Sequence, residues 1–294
     1  MTKYLVTGAT GNLGSASVEN LLKTVPASDI SVLARDLEKA KRFSDRGIKV
    51  FKGDYFDLQS MIDAFTGIDE LLLIGALSRS NRAPQHANMV KAVEAAKVGH
   101  VVYISLQRRE HPKDKLFEVT DVENDTERDI KASGVAYTIA RNTLYSEAYT
   151  AFFGSDDLTT SGVHAFGPEA KTTYAAIADL AEANAKLLTD PRHRNKSYDL
   201  NANKALSFRE MAGVIGEALG KPVPFVSTTR EEVIERYVSK GFPPEVAEYT
   251  AGFLNAVAEG DFADGSSVLT DLLGREPMPL SETFKGWAAA YKAR

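Results

Sequence analysis

Apolar positions fall along the first half of the chain in short blocks, at 4–7, 30–34, 49–52, 71–74, 101–104 and 136–140. Each block is β-branched or leucine-rich and mostly apolar on both alternating faces, as in a strand covered by helices on either side. Between the blocks the apolar spacing becomes helical. In 12–23, Leu13, Val18, Leu21 and Leu22 gather near one face. In 84–97, Met89, Val90, Val93 and Ala96 do the same, and 122–132 is polar but helical in type. Strand and helix alternating this often predict a doubly wound parallel sheet with right-handed crossovers, an α/β fold of Rossmann type.

Beyond 142 the rhythm changes. The segment 145–153 is aromatic-rich, 175–188 predicts an alanine-rich helix stopped at Asp190-Pro191, and 196–200 predicts a strand. Ser207, with Glu210 three residues on, makes a capping box for a helix over 207–219 that Gly220 ends. Further helices are predicted at 230–240 and 244–258, and closing elements at 269–273 and 281–291. No low-complexity linker and no internal repeat divides the chain. The expectation is a dinucleotide-binding domain over 1–142, to which some later segments return. A smaller C-terminal α/β lobe over 143–294 is expected to be mainly substrate-binding.

The turn between the first strand and the first helix carries the most specific chemistry. Gly8-Ala9-Thr10-Gly11-Asn12-Leu13-Gly14 has the spacing G-x-x-G-x-x-G. Gly8 permits a tight turn out of the strand, Gly11 lets a pyrophosphate approach the backbone, and Gly14 lets the helix pack close to the sheet. The N–H groups and positive dipole end of that helix then receive phosphates. The second strand ends in Ala34-Arg35-Asp36. An arginine at this point suits the 2′-phosphate of NADPH, where an acidic residue would suit the 2′-hydroxyl of NADH. Lys39 lies one helical turn further on, so that Arg35 and Lys39 form either a cationic clamp for that phosphate or a solvated surface pair. Asp36 reads as the N-cap of a helix over 37–43. Asp54, in Gly53-Asp54-Tyr55 after the third strand, either accepts from the adenine amino group or serves as a turn residue. Gly75 and Ala76, after the fourth strand, either bring the backbone close to a ribose or simply end the strand.

Composition narrows the classes. The chain has 294 residues, 44% hydrophobic and 26% charged, with a formal net charge of -5 and no cysteine. A mildly acidic protein without a basic block is a poor nucleic-acid or anionic-membrane binder. The missing cysteine removes disulfides, thiolate nucleophiles and thiolate metal ligands. The five histidines are not paired at metal-ligand spacing, so no metal is expected. No apolar run reaches the roughly 18 to 20 residues of a membrane span, and the first residues read as a strand, not a signal peptide. A cytoplasmic location is the expectation.

The motif Val6-Thr7-Gly8-Ala9-Thr10-Gly11-Asn12-Leu13-Gly14 resembles that of the NmrA-like, atypical short-chain dehydrogenase/reductases. Leu33-Ala34-Arg35-Asp36, Gly53-Asp54-Tyr55, Val102-Tyr103-Ile104-Ser105, 137–142 and Ser207-Phe208-Arg209-Glu210 match it too, so the likeness runs over nearly the whole chain. Within that family it is most similar to NADPH-dependent quinone oxidoreductases and triphenylmethane reductase. The resemblance implies NADPH/NADP as cofactor, lying between a Rossmann domain and a substrate lobe. It implies contacts from Gly8, Thr10, Gly11, Asn12, Leu13, Arg35, Lys39, Asp54, Tyr55, Gly75, Ala76 and Leu77, with Ser105 and Asn142 near the nicotinamide. One departure matters. Better-known relatives use a Tyr with a Lys four positions on, beside a Ser, to protonate a carbonyl. Ser105 is present, but no tyrosine lies between Tyr103 and Tyr137, so that pair is absent.

Two readings follow. In the first, hydride passes from NADPH to a quinone or similar conjugated acceptor that needs no strong protein acid, with Asn142 or Tyr145 hydrogen-bonding the acceptor oxygen. In the second, the protein binds NADP(H) without turnover, as a redox sensor. Tyr145, Tyr149, Phe152 and Phe153 form either an apolar wall for an aromatic substrate or a helix face packed into the core. Phe166 and Tyr174 are weaker candidates. Arg79, Arg82, Arg108 and Arg109 flank the loops after strands four and five, and Arg79 is either a ligand contact or a solvated charge. A homodimer is compatible with all of this.

Overall fold

The computed structural model describes residues 1–75, 81–109, 119–153 and 158–292. In chain order its strands are β1 (Tyr4–Val6), β2 (Ile30–Ala34), β3 (Lys49–Lys52), β4 (Glu70–Ile74), β5 (His100–Leu106), β6 (Ala136–Asn142), β7 (Val163–Ala165), β8 (Lys171–Thr172), β9 (Lys196–Leu200), β10 (Leu206–Ser207) and β11 (Phe225–Ser227). Its helices are α1 (Asn12–Leu21), α2 (Leu37–Ser44), α3 (Leu58–Phe65), α4 (Arg82–Ala96), α5 (Val119–Ala132), α6 (Ser146–Phe152), α7 (Leu158–Ser161), α8 (Ile177–Thr189), α9 (Phe208–Leu219), α10 (Arg230–Ser239), α11 (Pro244–Ala258), α12 (Val268–Leu273) and α13 (Leu280–Lys292).

Among the described residues, seven strands form one sheet in the order β3-β2-β1-β4-β5-β6-β9. β1 runs parallel to both β2 and β4, and β2–β3, β4–β5 and β5–β6 are parallel too. The both-face apolar blocks have their cause here. All five residues of β2 are buried, and Leu71, Leu72 and Leu73 of β4 have no exposed surface. α3, α4 and α5 pack side by side, and Met61, Phe65, Met89 and Val93 form a core with Leu71, Leu73, Val101 and Tyr103 of the sheet. α1 packs on α8, which also contacts β4, β5 and β6. The chain moves outward from β1 through β2 to β3, then returns to β4 beside β1. That reversal is the switch point where open α/β sheets take their ligands, at the carboxyl ends of the strands.

The chain divides into two compact units. The first consists of the described residues in Met1–Leu106, Glu118–Asn142 and Ile177–Asp199. It leaves at the end of β6 and is completed by α8 and β9, which come from later in the chain. The second unit holds the described residues in Gln107–Phe117, Thr143–Ala176 and Leu200–Arg294. It is mostly helical, with two small sheets: β7 parallel to β11, and β8 antiparallel to β10. α9 packs on α13, and α10 on α11. The capping box at Ser207 and Glu210 is formed, and Gly220 ends α9 in the left-handed conformation.

Two differences from the predicted elements bear on the site. α3 has no counterpart among the segments predicted from periodicity, although Leu58, Met61, Ile62 and Phe65 are spaced on one helical face and Asp57 caps it. β5 and β6 run two residues past the apolar blocks at their carboxyl ends. Ser105 pairs in register with Arg141, and Leu106 with Asn142, so polar residues at this edge are strand and not loop.

Candidate active site

The glycine turn has the geometry its spacing implies. Gly8 has φ +61°, the left-handed region that favours glycine. The Gly11 N–H returns to the Gly8 carbonyl at 2.9 Å, closing the turn. A Cβ on Gly14 would lie 2.3 Å from the Gly8 oxygen and 2.9 Å from Ala9 Cα, both backbone, so only glycine lets α1 approach this closely. Gly11 is different. Apart from the Gly8 oxygen at 3.3 Å, a Cβ there meets nothing within 4 Å, and Gly11 is exposed. Gly11 is also the N-cap of α1 and has no side chain to offer its first turn. The leading N–H groups of α1 are thus left for a partner outside the helix. Thr10 and Asn12 are exposed beside them, whereas the Leu13 side chain is buried and only its backbone could serve a ligand. These residues fit a pyrophosphate.

The flanking strand ends are tied to this turn. Thr7 Oγ1 donates to Ile74 O at 3.1 Å and accepts from the Ile74 N–H at 2.8 Å, joining the ends of β1 and β4. The Tyr55 hydroxyl donates to the same carbonyl at 2.6 Å, and burial pushes this phenol up to about 12. Its side chain is therefore a brace for β4. Asp54 Oδ1 accepts the Phe56 N–H at 2.9 Å, so the turn role of that carboxylate is filled.

Arg35 is exposed just past β2 and has no salt-bridge partner among the described residues. Asp36 caps α2 by accepting from the Glu38 and Lys39 N–H groups, and Lys39 Nζ lies 3.9 Å from its carboxylate with three-quarters of the side chain exposed. Two cations thus stand beyond β2, chemically suited to a phosphate. Ala76, Leu77 and Arg79 lie outside the described residues.

Under Gly75 lies a buried polar cluster that periodicity does not announce. A Cβ on Gly75 would sit 2.9 Å from His86 Nε2. Tyr103 donates to Glu123 at 2.6 Å, and Thr126 donates to Val122 O at 2.6 Å. Both hydroxyl protons being spent, His86 Nδ1, 3.0 Å from Thr126 Oγ1 and 3.1 Å from the Tyr103 oxygen, must carry the donated hydrogen. Nε2 is then a bare acceptor, buried and without a partner among the described residues. Burial, with the Arg82 charge second, pushes His86 down to about 3. Burial and the Glu123 carboxylate hold the Tyr103 phenol well above its ordinary range. Arg82 pairs with Glu123.

At the carboxyl ends of β5 and β6, Ser105 and Asn142 are both nearly fully buried, and Ser105 donates to Glu127. Glu123, Thr126 and Glu127 lie on the inward stripe of α5 with Val119, Val122 and Ile130. The signal was present in the sequence as acids in helical register with apolar residues.

In the second unit, Tyr145 is half-buried and bridges to Ala175. Tyr149 and Phe153 are core, which corrects the wall reading for these two. Tyr149 has no exposed surface, bonds Thr172 Oγ1 at 2.9 Å and stacks with Phe153, and both contact Phe208. Tyr174 is also buried. Arg109 lies over the Gly260 backbone, with its Nη1 donating to Glu259 O at 3.4 Å. No group of three metal-ligating side chains occurs among the described residues.

The NmrA-like family model matches residues 2–280. Quinone oxidoreductase 2 of Escherichia coli (strain K12) is 32% identical over 278 residues, 95% of this chain and 96% of that protein. The chain is a member of the NmrA-like family. The resemblance read from its motifs is thereby borne out. Two NmrA-like reductases solved with cofactor share its fold. The NADPH complex of the Escherichia coli NADPH-dependent quinone oxidoreductase has a TM-score of 0.88 and 30% identity, over 97% of this chain and 99% of that one. The NADP(H) complex of Citrobacter sp. triphenylmethane reductase has a TM-score of 0.89 and 33% identity, again over 97% and 99%. NAD(P)H azoreductase of Xenophilus azovorans is 26% identical over 98% of this chain and 99% of that protein.

Proposed function

We propose that this NmrA-like protein is an NADPH-dependent oxidoreductase that delivers hydride to a quinone or similarly conjugated acceptor. The observation that carries this is a glycine turn shaped to take a pyrophosphate, with Arg35 and Lys39 beyond β2, beside a β5 end without the Tyr/Lys pair. The phenol of β5, Tyr103, is sealed in the core and donates to Glu123. The relatives point the same way. They are named for quinone, dye or azo reduction, and this favours turnover over a sensor that only binds.

When bound, NADPH supplies the hydride. The chain's own part is orientation. The first turn of α1 holds the pyrophosphate, Arg35 and Lys39 take the 2′-phosphate, and Ser105 and Asn142 hold the nicotinamide end. Asn142 or Tyr145 donates a hydrogen bond to the acceptor oxygen, and the proton that completes reduction comes from solvent. An acceptor conjugated enough to delocalise the incoming electron pair needs no stronger acid.

The partner is a small planar molecule, and neither nucleic acid nor a membrane is expected. No helix among the described residues is long and apolar enough to cross a membrane. A cytoplasmic location and a homodimer complete the reading, and light scattering in solution tests the latter. Mixing enzyme and NADPH with a panel of quinones and cationic dyes tests the activity. Loss of reduced-nicotinamide absorbance is expected, and none with any acceptor overturns the reading.

A further inference from the structure

Ser105 has its proton pointed the wrong way for a catalytic serine. It is 5% exposed, and its hydroxyl donates to Glu127 Oε1 at 2.6 Å. Glu127 is itself buried and paired with Arg141. Arg141 Nε lies 3.0 and 3.2 Å from its two oxygens and Nη2 lies 2.7 Å from Oε2, with Lys131 Nζ 3.7 Å away. A serine hydroxyl has one proton and two lone pairs. A carboxylate paired with a guanidinium is an acceptor only, so it fixes the direction of the Ser105 hydrogen bond. The Ser105 oxygen is thereby left with acceptor capacity alone, and donation to Glu127 strengthens it. A serine that helps protonate a carbonyl must donate toward it, and this one does not.

We propose that the Ser105–Glu127–Arg141 chain orients the nicotinamide by accepting a hydrogen bond from its carboxamide N–H. Ser105 contacts the cofactor, and Glu127 and Arg141 are positioning residues that act through it. This rests on the proposed nicotinamide position at the carboxyl ends of β5 and β6. Accepting from the carboxamide sets the ring's rotation about its glycosidic bond, and hence which face of C4 meets the acceptor.

Calorimetry with three probes tests this: NADP+, its 3-acetylpyridine analogue, and 2′,5′-ADP. The acetyl group keeps an oxygen but has no N–H, and 2′,5′-ADP has no nicotinamide. Wild-type protein is expected to bind NADP+ about five- to tenfold more tightly than the analogue, the yield of one buried hydrogen bond. Ser105→Ala should bring that ratio near one and leave 2′,5′-ADP affinity unchanged. Ser105→Thr, which keeps the hydroxyl, should retain the ratio. Glu127→Gln should also collapse it, because a glutamine amide can donate to Ser105 and turn its proton outward. A merely structural role would shift all three ligands together. An NADP+/analogue ratio untouched by Ser105→Ala, with 2′,5′-ADP still bound, overturns the proposal while leaving the dinucleotide reading intact. Failure of wild-type protein to bind 2′,5′-ADP would remove that reading and the proposal with it. Should Glu127→Gln fail to fold, the two Ser105 variants carry the test.

Discussion

Gly11 and Gly14 are three residues apart in one turn, yet different neighbours require them. At Gly14 a methyl group meets backbone at 2.3 Å, and neither the turn nor α1 can yield cheaply. Gly14→Ala is expected to cost both stability and cofactor affinity. At Gly11 the methyl meets only the Gly8 carbonyl oxygen, at 3.3 Å, so Gly11→Ala should cost only about 1 kcal/mol of stability, the ordinary loss at an N-cap. It should still weaken NADPH binding at least tenfold, because the methyl occupies the phosphate's approach. Thermal melts and calorimetry on the two variants separate these effects. Equal losses of stability would contradict the assignment. Arg35 makes a second test. Wild-type protein should bind NADPH well over tenfold more tightly than NADH, and Arg35→Asp should erase the difference, as expected for loss of a charge-assisted phosphate contact. Equal affinities in the native protein would remove the clamp.

Elements built on periodicity were the legible part of this molecule. β2, β3, β9 and α11 coincide with the predicted segments, because their apolar spacing and caps are local properties. The cap at Ser207 is one such local device, and Ser207→Ala is expected to cost about 1 kcal/mol in a denaturation midpoint without affecting cofactor affinity. What remained hidden were interactions between elements. Nothing local marks Tyr55 as a brace for Ile74, or Glu127 as the partner of Ser105, since each is paired across strands or helices far apart in sequence. Small sheets of two or three residues, such as β8 with β10, carry too little pattern to read.

The His86 cluster, which ties α4 and α5 to β5, sets a pH dependence. Its pKa in the fold is about 3 against an ordinary 6.5, so the unfolded chain takes up the proton first as pH falls. Stability from this group is complete above about 6.5 and declines toward 3, approaching about 1.4 kcal/mol per pH unit within that window. His86→Gln should flatten the fall in melting temperature between neutral pH and pH about 5, ahead of most carboxylate titration. An unchanged slope would show that His86 is not the group responsible.

For the molecule as a whole, cofactor and fold are coupled. A ligand that binds only the native state stabilises it by about 2.7 kcal/mol at a hundredfold excess over its dissociation constant. NADPH should therefore raise the melting temperature, and NADH at equal concentration should raise it less. The switch point of the seven-stranded sheet carries the glycine turn. Binding alone does not separate a reductase from a protein that only senses NADP(H). Rapid mixing of the NADPH-loaded protein with a quinone, followed at the reduced-nicotinamide absorbance, does. Oxidation that saturates with quinone and slows when the nicotinamide C4 hydrogen is replaced by deuterium is the expected result. Tight NADPH binding with no oxidation by any quinone or conjugated dye would contradict it.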